Sequence, residues 1–171
     1  MFLAASAAPL GRRTEFAVAG DAFYVGTQDA EEAFRYGHDG TLQAIVRWPT
    51  VERRLTEDHI GAYRTFELES IDSDNLRRRV AVELDKLEYP ELLPAHGGVV
   101  VDEEGNLWVE EFHLPWADRR SWNVFDADLR WLGSVGMPDI DVDQVGRAFV
   151  LGHMWDELNV EYVVLYKLTR P

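Results

Sequence analysis

The chain has no cysteine among its 171 residues, so neither a disulfide nor a thiolate-bound metal holds it together, and redox chemistry gives no clue to its compartment. It is also poor in positive charge. Seventeen lysines and arginines stand against 31 aspartates and glutamates, a formal net charge of −14, and such a surface repels the phosphate backbone of a nucleic acid. No apolar run approaches the roughly 18–20 residues that a membrane-spanning helix needs. Catalytic signatures are equally scarce. Ser121 and Ser134 lie outside any Gly-x-Ser-x-Gly setting, and the five histidines are scattered, with no His-x-x-x-His spacing for zinc. Glu110 and Glu111 are adjacent, so strand alternation sends them to opposite faces and they do not form a paired-carboxylate acid and base.

What is present is apolar and aromatic. Hydrophobic residues make up 46% of the chain and aromatic ones 12%, enough for a packed interior and against global disorder, and the length suits one domain. A short phrase recurs: Phe23-Tyr24-Val25-Gly26, Leu107-Trp108-Val109-Glu110 and Phe149-Val150-Leu151-Gly152. Phe23 and Leu107 are 84 residues apart and Leu107 and Phe149 are 42 apart, so one interval is twice the other. A later strand repeats independently, with Tyr36 and Phe125 separated by 89 residues and Phe125 and Tyr166 by 41. Repeats of about 40–45 residues made of short strands are the mark of a β-propeller.

The expected organisation is all-β with a helical insertion, as about three antiparallel propeller blades. The first, 15–48, contains strands at 15–19, 23–27, 32–36 and 42–48. The second, 97–136, contains strands at 99–101, 107–112, 122–125 and 131–135. The third, 139–169, contains three strands, at 140–145, 148–153 and 161–168, and lacks a fourth. Between the first two lies a helical insert at 50–90. Thr56 caps one helix with Ile60, Tyr63 and Phe66 on its face, and Ser73 or Asp74 caps another with Leu76, Val80, Leu84 and Leu87 in line. Pro90 and Pro94 end the helical stretch. Trp108, Trp122 and Trp131 are expected to pack between blades. Leu129 stands where the turn glycine of a hairpin is expected, which predicts a different turn type there. The apolar opening, residues 1–8, is similar to the core of a signal peptide but has no basic residue before it, and is expected to lead into the first strand or to follow upstream residues of a longer frame.

The phrase from Val99 through Asp102, Gly105 and Leu107 to Val109 resembles the blade sequence of bacterial six-bladed propellers of the NHL and TolB-like kind. The stretch from Val150 through His153, Trp155 and Asp156 to Leu168 looks like the last blade of that group. The resemblance implies the C-terminal half of a longer six-bladed propeller in an extracytoplasmic compartment, with a non-enzymatic binding or scaffold role for a small molecule or a protein. An alternative is that two chains pair as half-propellers through uncovered blade faces. A second functional class is also implied, a metal-assisted hydrolase of the lactonase type. There Asp139, Asp141 and Asp143 would offer oxygen ligands to calcium, although alternating acids more simply mark a solvated strand face. No other cofactor is expected.

In a meander the connections alternate between the two ends of a sheet. One end therefore collects residues 28–31, the insert with its flanks at 50–96, and the segments 114–120, 137–139 and 155–158. His113, Trp116, Arg119, His153, Trp155 and Asp156 are the ligand-binding candidates on that side, aromatic and charged groups suited to recognition. The glycine-bearing turns at Gly40 and Gly105 lie opposite.

Overall fold

Short runs of β-branched and aromatic residues, punctuated by turns that carry aspartate or glycine, dictate antiparallel hairpins, and the chain forms them one after another. The computed structural model describes residues 8–156, 158 and 160–169; the apolar opening, apart from Ala8, lies outside the described residues. β1 (Glu15–Ala19), β2 (Ala22–Gly26), β3 (Glu32–Gly37) and β4 (Leu42–Arg47) form the first sheet, in that order. β5 (Val99–Val101), β6 (Leu107–Glu110), β7 (Arg119–Phe125) and β8 (Trp131–Pro138) form the second, and β9 (Asp141–Val145), β10 (Phe149–Trp155) and β11 (Glu161–Lys167) the third. Every pairing is antiparallel between sequential strands. The described residues are thus mostly β, with three sheets and two helices.

The second sheet is the middle layer, and its alternation shows why. Leu107, Val109 and Phe125 point to one side and pack with Ala17, Tyr24, Ala33 and Val46 of the first sheet. Trp108, Trp122 and Val124 point to the other and pack with Val145 and Val150 of the third. All four residues of β6 are buried, as a strand covered on both faces requires. The first strands of the sheets are also neighbours, β1 beside β5 and β5 beside β9. Each end sheet then has one uncovered face. On the first sheet the register aligns Phe16 with Val25, Val18 with Phe23, Phe34 with Val25 and Ile45, and Tyr36 with Phe23 and Leu42, so these side chains share the uncovered side. Phe23 and Tyr36 stack there at 5.4 Å.

Three expectations are corrected. Trp131 is 62% exposed rather than packed between sheets, because β8 is the outermost strand of its sheet; its indole N–H donates to Asn123 Oδ1 at 3.2 Å. Leu129 adopts the left-handed conformation itself, with φ 64°. Its hairpin is the same turn as the one at Gly105: Leu129 N–H donates to the Asp126 carbonyl at 2.8 Å as Gly105 N–H does to that of Asp102 at 3.0 Å. In both, the aspartate Oδ1 also accepts two further backbone N–H groups. Finally, Val150 rather than Phe149 takes the inward place corresponding to Leu107. The hairpin from Gly146 to Phe149 is shorter than the one from Asp102 to Asn106, and Leu151/Gly152 carries a register shift.

The insert forms α1 (Glu57–Glu69) and α2 (Asp74–Leu84). Thr56 Oγ1 accepts from His59 N–H and His59 Nδ1 accepts from Thr56 N–H, both at 3.3 Å, a reciprocal cap. Ser73 Oγ accepts from Leu76 N–H at 3.4 Å. Neither helix is deeply packed. α1 buries no side chain and α2 only Leu84. Among the described residues no helix is long and apolar enough to cross a membrane.

Candidate functional site

Because the helices stand off the sheets, a cleft of about 1790 Å³ lies between α2 and the strand ends below it. Leu76, Val80 and Leu87, with Arg78, Arg79 and Glu83 between them, supply its upper wall, and Glu110, His113, Arg120, Asp139 and Asp141 its charged floor. The floor comes from two sheets. Glu110 ends β6 and faces Trp122 across the ladder, while Arg120 lies on the same face of β7, towards the third sheet. Asp139 and Asp141 lie just before and at the start of β9.

Arg120 organises the floor. Its Nε donates to Asp139 Oδ1 at 2.7 Å, and its Nη1 to Asp141 Oδ1 at 2.7 Å and Glu110 Oε1 at 3.3 Å. Burial works to lower the guanidinium pKa, but the bonds to Asp139 and Asp141 outweigh it and raise it further. Glu110 is 6% exposed. A carboxylate in such a place needs partners on both oxygens, and it has them. Oε2 accepts from Gly98 N–H at 3.0 Å, and Oε1 lies 3.4 Å from His113 Nε2. A Cβ at Gly97 would sit 2.5 Å from Glu110 Oε2, so only glycine fits beneath the carboxylate.

Two histidines extend this network in opposite directions. His113 donates through Nδ1 to the Leu114 carbonyl at 3.3 Å, and only the imidazolium can donate to Glu110 as well; the hydrogen bond to Glu110 raises its pKa against the effect of burial. His153 donates through Nδ1 to Asp143 Oδ2 at 3.0 Å, and its Nε2 lies 3.7 Å from Asp141 Oδ2. The bond to Asp143 raises its pKa too. At the cleft rim, Glu15 is pushed up chiefly by burial, with Arg13 opposing and Glu110 adding. Burial, reinforced by Glu67, pushes the Tyr63 phenol up to about 12.

The six sequence-derived candidates fall into separate places. His113 is in the cleft. Trp116 contacts Phe66 of α1 at 6.2 Å between ring centroids, and Arg119, expected in a loop, is an exposed residue opening β7. His153 and Trp155 meet edge to face at 4.9 Å on the uncovered side of the third sheet. Asp156 is engaged in its turn, where Oδ1 accepts from Leu158 and Val160 N–H and Oδ2 from the Tyr162 hydroxyl. Its carboxyl is held below the usual range by those bonds, the Val160 N–H foremost.

Asp139 and Asp141 are turned to Arg120, and Asp143 to His153. Among the described residues no group of three or more histidines and carboxylates is arranged to hold a metal ion. Glu110 and Arg120 were the residues missed. Their signal was in the sequence: a glutamate closing an otherwise apolar strand, with an arginine on its pairing partner. No protein-family model matches this chain, and no curated protein matches it, so its chemistry is read from the geometry.

Proposed function

We propose that the protein is a non-enzymatic binding module of propeller architecture, similar to NHL and TolB-like blades, whose ligand occupies the cleft beneath the helical insert. The observation that carries this is the cleft itself. Its 1790 Å³ exceeds the roughly 300–1,000 Å³ of ordinary small-molecule pockets, and a roof that mixes apolar Leu76, Val80 and Leu87 with charged Arg78, Arg79 and Glu83, over a charged floor, suits an extended ligand with both apolar and charged groups such as a polypeptide segment. The propeller arrangement is supported by the meander order within each sheet and by the adjacency of β1, β5 and β9, the innermost strands in such a ring. The lactonase-like alternative has less behind it, since the aspartates it would use are bonded to Arg120 and His153.

The test is selection of a phage-displayed random peptide library against the folded protein, followed by hydrogen-exchange footprinting of the best binder. Protection should fall on α2 and on the backbone of Gly97, Gly98 and Glu110. Absence of enrichment, or a footprint confined to other surfaces, would refute the reading.

A further inference from the structure

Each of the two end sheets exposes large apolar side chains on its uncovered face, the first more fully than the third. A sheet with one face in water alternates apolar with polar residues, yet the uncovered side of the first sheet carries Phe16, Val18, Phe23, Val25, Phe34 and Tyr36, continued by Ile45 and Leu42 on β4. Its charges are the Glu32–Arg47 pair, bonded to each other at 2.8 Å at one end. Phe16 is 73% and Val18 69% exposed. The third sheet does so in part: on its uncovered side Leu151 pairs with Leu165 and His153 with Val163, Val163 being 76% and Leu165 68% exposed, alongside the polar Gln144, Asp141, Glu161 and Lys167.

We propose that a second copy of this chain covers both faces, the first sheet of each copy packing on the third sheet of the other around a two-fold axis. This rests on the propeller reading above. Three observations favour a second copy as the occupant. The two uncovered faces are of opposite kinds, one preceding the first sheet and one following the third, and faces of those two kinds are the ones that already pack on each other within the chain, between the first and second sheets and between the second and third. A two-fold arrangement matches each with its complement and leaves neither exposed. The first-sheet face is apolar apart from the Glu32–Arg47 pair at one end, while the third-sheet face sets Leu151, Leu165 and Val163 beside His153, bonded to Asp143, with Lys167 and Glu161 at its two ends, so the charge of −14 on each copy is kept off the first-sheet side of each contact. The area also suffices. The first-sheet face, four strands wide and about five residues long, and the third-sheet face, three strands wide but up to seven residues long, each span about 300 Å² in projection, so the four faces of the pair bury about 1,200 Å², the range of stable complexes.

The test is light scattering on the purified chain at micromolar concentration, with Phe16→Asp and Leu165→Asp made separately and circular dichroism confirming that each folds. Wild type should have twice the chain mass of 19.6 kDa. Each variant alone should be monomeric, its dimer dissociation constant raised at least about a hundredfold by the carboxylates buried at both contacts. Mixing the two variants should restore a heterodimer, because one of its contacts then joins two unaltered faces. A folded wild-type monomer overturns the proposal and leaves the faces to sheets of another chain. A dimer that survives Leu165→Asp but not Phe16→Asp overturns it in favour of like-on-like pairing. Either result is separable from the cleft reading, since the peptide footprint on α2 does not depend on the number of copies.

Discussion

Arg120 is the residue on which the site floor most depends, and Arg120→Met isolates its charge, because methionine keeps part of the aliphatic stem. Loss of the guanidinium leaves Glu110, 6% exposed, with only Gly98 N–H and His113 as partners. Breaking a fully buried ion pair costs about 3–5 kcal/mol. Asp139 and Asp141 are nearly half exposed, so water re-solvates them and their share is small. Glu110 retains two of its partners. The expected loss is therefore about 2 kcal/mol, a fall of about 4–8 °C in Tm for a chain of this size. Urea unfolding followed by fluorescence of the buried Trp108 and Trp122 measures it. Glu110→Gln combined with Arg120→Met should cost less than the sum of the single changes by about 1 kcal/mol, since the double variant has no stranded carboxylate. A loss below about 0.5 kcal/mol for Arg120→Met, or strict additivity in the cycle, would refute the assignment of Arg120 as the counter-charge of Glu110.

Leu129 pays for its φ of 64° but packs on the core beside Phe125; Leu129→Gly should thus change stability by under about 1 kcal/mol, while β-branched Leu129→Val should cost about 2, both read from urea midpoints. His113 has a raised pKa in the folded state, so its contribution is complete below the unfolded value near 6.5 and is lost as pH rises through the folded value. His113→Gln should then be most destabilising near about pH 5.5 and nearly neutral near about pH 8. His96 has the opposite sign: it is fully buried, donates through Nδ1 to the Gly97 carbonyl at 2.7 Å, and burial lowers its pKa. Its contribution is complete above about 6.5 and falls with acidification, so thermal scans of His96→Gln should show a smaller drop in Tm between about pH 7.5 and 5.5 than wild type.

The strands and helices were legible because each carries its composition and its boundary chemistry locally: β1 ends at Gly20-Asp21 and β5 at the turn from Asp102 to Gly105, and both helices start at Thr56 and Ser73. What was illegible depended on partners far away in sequence. Trp131 has the composition of a core residue and is exposed only because its strand is outermost. The Leu129 turn was misread because the Asp126 carboxylate, capping two N–H groups, holds a conformation that leucine alone disfavours. The floor of the cleft joins residues of two sheets through one guanidinium, a meeting that no local spacing encodes.

How loosely the insert is built also follows from its stem. Arg54 and Leu92 form an antiparallel bridge, Leu55 N–H donates to the Glu91 carbonyl at 3.1 Å and Leu93 N–H to that of Arg53 at 2.7 Å. Arg53 fastens the stem to the first sheet, with Nε 2.9 Å from Glu31 and Nη1 donating to the Leu93 carbonyl at 2.9 Å. The chain is therefore already closed into a hairpin before the helices begin, and replacing residues 56–90 with Asn-Gly should leave the sheets intact. Leu84 is the one buried side chain in the two helices, a loss of about 2 kcal/mol. Shortening the loop by about four halvings returns about 2.5 kcal/mol of closure entropy. The two nearly cancel, so the shortened protein should unfold within about 1 kcal/mol of the parent and keep the parent's number of copies in light scattering. Peptides selected for the cleft should no longer bind it. If instead the shortened chain fails to fold, the helices are a structural cap of the sheets, and the cleft is a by-product of packing.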